Sequence, residues 1–210
     1  MKWLKRIRYI VSGLFFVAIV ICIGLVLNFL FGRSVRKTDD ITYYRVLSGE
    51  QEGSDMIPVM GEEFDMYCPF HLPQMKELEP YEDYRFDYTA TRMAFFQSHA
   101  YILIVSYDTE TYLHKKAQLE QDYTYLTDTF QGEKETEYHQ PHFDLDGFHF
   151  RAVQAGQRDY ADVKCIFFTG TSDDRNEIAF IYFHDQDLDF ISPDLATFVV
   201  ENTGWKRVRQ

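Results

Sequence analysis

The chain has 210 residues, with 21 Lys and Arg against 33 Asp and Glu and a formal net charge of −12. The first 37 residues carry seven of those cations and no acid, so residues 38–210 hold 14 cations against 33 acids, a net of −19. So anionic a surface repels phosphate backbones and excludes nucleic acid as a partner; 17% aromatic and 46% hydrophobic residues exclude a disordered acidic chain.

Residues 1–8 form a short basic tail, and residues 9–32 carry no charge. Twenty-four helical residues at 1.5 Å each reach about 36 Å, enough for a hydrocarbon core of about 30 Å. A cleaved secretory signal has a shorter apolar run ending at a small-x-small site. Here the best such site, Cys22-Ile23-Gly24, lies inside the run, and Ile21 is too large for lipoprotein processing at Cys22. Residues 9–32 therefore read as an uncleaved transmembrane signal anchor. Lys2, Lys5, Arg6, Arg8 and the amino terminus precede it; Arg33, Arg36, Lys37 and Arg45 follow. The count narrowly favours a cytoplasmic N-terminus, making a single-pass protein of the cell membrane with its C-terminal domain outside. No small-xxx-small pattern marks a helix-pairing face.

Residues 33–63 read as a juxtamembrane stalk. Residues 38–47 fit a short strand, whereas 48–55 are polar, glycine-bearing and non-periodic. Pro58, Pro69, Pro73 and Pro80 then enforce extended chain, leaving room for one helical turn over 74–79.

Residues 64–210 read as an acidic extracytoplasmic α+β domain. Residues 84–88 alternate as a half-buried strand does, and 91–96 fit another. Residues 99–107 are apolar on both faces, with Tyr101, Leu103, Val105 and Tyr107 on one and Ile102 and Ile104 on the other, the pattern of a strand covered twice. Tyr112, Leu119, Tyr123 and Leu126 then mark one stripe of a helix over 110–126, with Lys115, Lys116, Glu120 and Asp122 mostly on its wet side. After a polar loop at 129–141 come strands over 143–154, 161–169 and 177–184. Asp146-Gly147 offers a tight turn within the first, and residues 170–176 turn between the other two. Connections so short join antiparallel neighbours, so these strands form a meander. Ser192-Pro193-Asp194 starts a final helix, with a hydroxyl cap, proline at the first helical position and an acid against the dipole, and Gly204 can close it. The fold class expected is α+β: an N-terminal transmembrane helix followed by one antiparallel-sheet domain with two packed helices.

Two of the three cysteines, Cys68 and Cys165, fall in the domain. A disulfide between them and a buried, reduced Cys165 both remain open. The densest set of potential metal ligands is His139, His142, Asp144 and His149, with Asp146 beside them. Pro141 keeps the first two histidines off a common helix, and a hairpin turning at Asp146-Gly147 makes Asp144 and His149 an ordinary cross-strand pair. The run 185–189 opens like a calcium loop, but Phe190 and Ala196 stand where that loop needs glycine and glutamate. No nucleophile elbow, phosphate-cradling loop or dinucleotide fingerprint is present, and His71 near Cys68 lacks an orienting third group.

No cofactor is implied and no catalytic residue is singled out, so the reading leans away from an enzyme. It is a single-span anchored protein, held in the lipid bilayer by residues 9–32, whose external domain binds a protein or an envelope polymer. The fourteen tyrosines that follow the span supply strand faces and a candidate binding rim. The alternative is a small metal- or carboxylate-dependent hydrolase acting on envelope material.

Overall fold

Alternation of apolar and polar residues builds the centre of the sheet. In the computed structural model β2 (Asp83–Met93) and β3 (Phe96–Ser106) pair antiparallel in unbroken register from Asp83↔Ser106 to Met93↔Phe96. The structure describes residue 15 and residues 17–28, 32–51, 70–93, 96–127, 130–131, 136–138, 141–154, 165–185 and 206–207. β1 (Arg33–Thr38) flanks β2, and β9 (Glu177–Asp185) flanks β3 on its other side. From β9 the sheet continues outward through β8 (Cys165–Ser172), β7 (Phe148–Ala152) and β6 (His142–Leu145). The seven strands run in the order β1-β2-β3-β9-β8-β7-β6, every neighbour antiparallel, and the expected meander is its second half. Among the described residues the fold is thus built on one seven-stranded antiparallel sheet with a few helices, of α+β type.

Period-two alternation gives this sheet two apolar faces. Phe86, Tyr88, Tyr101, Leu103, Phe180 and Tyr182 lie on one, packed with residues of α1 (Ile41–Leu47), α2 (Met75–Leu78) and α3 (Thr109–Asp122). Ala100, Phe150, Ile166, Phe168, Ile181 and Phe183 lie on the other. Each fully buried aromatic or aliphatic side chain contributes roughly 1.5–3 kcal/mol of burial, so both faces stabilise the sheet.

One turn and one strand position show why their residues are needed. Asp146 and Gly147 have φ of 50° and 77°, and the two-residue β6–β7 hairpin needs positive φ at both. In β8, Gly170 stands opposite Phe150, whose ring lies where a Cβ on Gly170 would be. Gly170→Ala is expected to cost about 1–3 kcal/mol through overpacking, measured as a lower urea midpoint of the full-length protein in detergent. An unchanged midpoint means that the ring does not close this position.

Several expectations change. Residues 38–47 are not a strand: β1 ends at Thr38, and Asp40 caps α1 by accepting a hydrogen bond from the Thr42 N–H at 3.0 Å. Helical spacing then buries Tyr43, Tyr44 and Leu47 on the sheet, so residues 33–47 of the expected stalk belong to the folded unit. The helix expected over 110–126 stops at Asp122, because Tyr125 leaves it to bridge to Val153. The expected loop at 129–141 contains β4 (Phe130–Gln131) and β5 (Thr136–Tyr138), which pair with each other, while β10 (Lys206–Arg207) pairs with β5. The second packed helix, expected from Ser192, lies outside the described residues. Among the described residues no helix is long and apolar enough to cross a membrane. Within the expected span, residues 15 and 17–28 are helical and exposed, with large apolar side chains such as Phe15, Ile21 and Leu25 uncovered.

Candidate functional site

A helix laid across one end of the sheet creates a broad concavity among the described residues. Asp108 caps α3 by accepting from the Glu110 and Thr111 N–H groups, and the Thr111 hydroxyl first, then these N–H groups, hold its carboxyl below the usual range. Tyr112 and Leu119, two turns apart, bury against the sheet. Beneath them β8 presents Phe167, then Thr169 and Thr171, on the same face. The change from phenylalanine to threonine leaves space under the helix. A groove of about 580 Å³ results, walled by Lys116 and Glu120 of α3 and floored by Tyr125, Thr169 and Thr171.

Two pairs of opposite charge and one histidine–carboxylate pair line the groove. Lys116 Nζ and the Tyr112 hydroxyl both donate to Asp173 Oδ1, each at 2.5 Å. Those donors hold the Asp173 carboxyl below its ordinary range, while burial and then the neighbouring carboxylate push the Tyr112 phenol up. Glu120 pairs with Arg151, whose guanidinium stacks over the Tyr125 ring with its carbon 3.6 Å from the ring centre. Tyr125 shares a 2.9 Å hydrogen bond with the Thr169 hydroxyl, and burial raises its phenol. At the outer rim His149 Nδ1 lies 2.7 Å from Asp144 Oδ1, across the hairpin as the Asp146-Gly147 turn requires.

No protein-family model, curated protein or solved structure matches this chain. The site must be read from its own residues.

A second cavity, about 370 Å³, lies on the other side of Leu119, between α2 and α3. Tyr107, Ile178 and Phe180 line it, and Lys115 Nζ reaches over to the Glu77 carbonyl at 2.6 Å. It is more enclosed and more apolar than the groove.

The sequence-derived ligand set is only partly brought together. Asp144 and His149 are bonded, and the His142 ring centre lies 6.0 Å from that of His149; His139 falls outside the described residues. Among the described residues no three metal-ligating side chains cluster. Cys68 and residues 186–189 of the calcium-like run also lie outside them, while Cys165 opens β8 opposite His184. Helical periodicity places Lys116 and Glu120 on a solvated face, and no linear pattern singles out Arg151 or Asp173. The available signal was weak: a lysine and a glutamate four apart on α3, and an arginine alternating with the phenylalanines of β7.

Proposed function

We propose that this protein is a single-span, membrane-anchored binding protein whose domain stands outside the cell and seats a protein segment or an envelope polymer in the groove between α3 and strands β6–β8. The groove carries this reading: it is open, rimmed by charge of both signs and floored by an aromatic ring, which suits a polar chain more than a small apolar ligand. Three of its four carboxylates, Asp144, Glu120 and Asp173, each meet a histidine or a cation, so the site offers fixed polar partners. The anchor draws support from the uncovered apolar helical residues 17–28, which need a nonaqueous environment.

The test uses the full-length protein. External protease on intact cells should remove the domain and spare an N-terminal tag. Protein immobilised in detergent should retain a component of the cell envelope, and the paired substitution Lys116→Glu with Glu120→Lys should weaken retention by on the order of tenfold. That swap preserves net charge but sets like charges against Asp173 and Arg151. Undiminished retention by the variant removes the groove as the site, and protection of the domain from protease removes its placement outside.

A further inference from the structure

Away from the groove, the second cavity has a closed frame. Lys115, Gln118, Leu119 and Asp122 are spaced i, i+3, i+4 and i+7, so they form one stripe of α3 along the cavity, with residues 71–78 lining its other side. Two hydrogen bonds tie these sides together. Lys115 Nζ donates to the Glu77 carbonyl at 2.6 Å, and the Tyr123 hydroxyl donates to the His71 carbonyl at 3.1 Å. Positions 115 and 123 stand about 12 Å apart at the helical rise of 1.5 Å per residue, so the ties frame room for one small molecule. The volume of about 370 Å³ agrees, since it falls at the lower end of the range for small-molecule sites, about 300–1,000 Å³.

We propose that this cavity binds a free, small aromatic amine that carries a hydroxyl at the end opposite its ammonium group. Tyr107, Tyr123 and Phe180, with Leu78, Leu119 and Ile178, supply an apolar lining rich in rings, which suits a flat aromatic body. Tyr107 is only 2% exposed, and its hydroxyl has no hydrogen-bond partner among the described residues. A buried phenol left unpaired is costly, and a hydroxyl on the occupant supplies the missing partner. The charges at the rim choose the sign of the other end. Glu77 already meets His71 Nε2 at 3.4 Å and accepts from the Gln74 N–H at 2.9 Å. The Lys115 amine is turned to a backbone carbonyl, and burial holds it below its ordinary range, so it offers little to an anion. Asp122 is exposed and makes no ion pair among the described residues. An ammonium group placed there meets an unclaimed carboxylate beside aromatic rings, whereas a carboxylate meets repulsion. Binding is noncovalent and does not depend on the groove or on its occupant.

The experiment uses full-length protein in lipid nanodiscs, with empty discs as the blank, and equilibrium dialysis of radiolabelled tyramine. Saturable binding of one tyramine per chain is expected. Phenethylamine, which lacks the hydroxyl, should compete about tenfold more weakly. Tyr107→Phe keeps the ring and removes the orphan hydroxyl, so the variant should fold and should erase that difference by weakening tyramine alone. Asp122→Asn, at an exposed position, should weaken both amines by about tenfold. The carboxylate of the same skeleton, para-hydroxyphenylpropionate, should not compete, and the groove swap of Lys116→Glu with Glu120→Lys should leave tyramine binding unchanged. The proposal is overturned if no saturable binding occurs, if Tyr107→Phe keeps the preference for tyramine, or if Asp122→Asn binds both amines undiminished. Equal competition by the carboxylate, or loss of binding in the groove swap, overturns it as well.

Discussion

Tyr44→Ala is expected to lower the unfolding free energy by about 3–5 kcal/mol, the range for deleting a large buried ring. Tyr44 is fully buried, with its ring centre 5.8 Å from that of Phe86 and 5.3 Å from that of Tyr101, both in edge-on contact. Its hydroxyl donates to the Pro73 carbonyl at 2.5 Å, tying α1 to the segment ahead of α2. Truncation therefore opens a cavity under the sheet and strands a buried acceptor. Tyr44→Phe separates the two effects, since it retains the ring and should cost about 1–3 kcal/mol for the unpaired carbonyl. Urea unfolding of full-length protein in detergent measures both. The result bears on architecture: a residue in a mere tether would cost within about 0.5 kcal/mol, and such a value for Tyr44→Ala would remove α1 from the core.

Raising the pH above 10 should destabilise the domain steeply. Burial is the first cause that lifts the phenols of Tyr44, Tyr88, Tyr107 and Tyr123 above their ordinary value. A folded value raised above the unfolded one means that stability is fully present below the unfolded value, near 10, and is lost as the pH climbs from there toward the folded value. At pH 11 each such phenol favours the unfolded chain by about 1.4 kcal/mol, so the four together remove about 5–6 kcal/mol. That is comparable with the whole stability of a small domain, about 5–15 kcal/mol. The check is a spectrophotometric tyrosinate titration alongside circular dichroism. Delayed ionisation that coincides with loss of secondary structure supports the assignment; ionisation of nearly all tyrosines around pH 10 with the fold intact contradicts it.

The parts of the fold visible in the sequence are those where one period dominates. Residues 99–107 show apolar side chains at both parities, and β3 has two apolar faces, fully buried at Tyr101, Leu103 and Val105 and half-buried at Ile102 and Ile104. The Asp146-Gly147 turn announced its own register, and with it the Asp144–His149 pair. The misread segments are those in which tertiary contacts override a weak local signal. Residues 41–47 contain Ile, Thr, two Tyr and Val, all strand-preferring, yet an aspartate cap and burial of Tyr44 make them helical. Tyr123 and Leu126 continue the stripe of α3 in phase, but the bridge from Tyr125 to Val153 draws the chain out of the helix first. The groove was harder still. It depends on Thr169 following Phe167 beneath a helix whose place on the sheet no local pattern specifies, and on arginine and aspartate residues that look like solvated charges in any linear reading.

Because β1 opens at Arg33, the chain has only residues 29–32 between the described helical run and the outer strand of the sheet. Even fully extended, the five steps from residue 28 to residue 33 cover at most about 18 Å. With the proposed anchor in place, the molecule is therefore moored by one flank and has no long leash on which to wander. Strand β7 lies five positions across from β1, about 24 Å at 4.8 Å per step. The width of the sheet thus acts as a rigid outrigger, fixing how far from its mooring a captured chain is held.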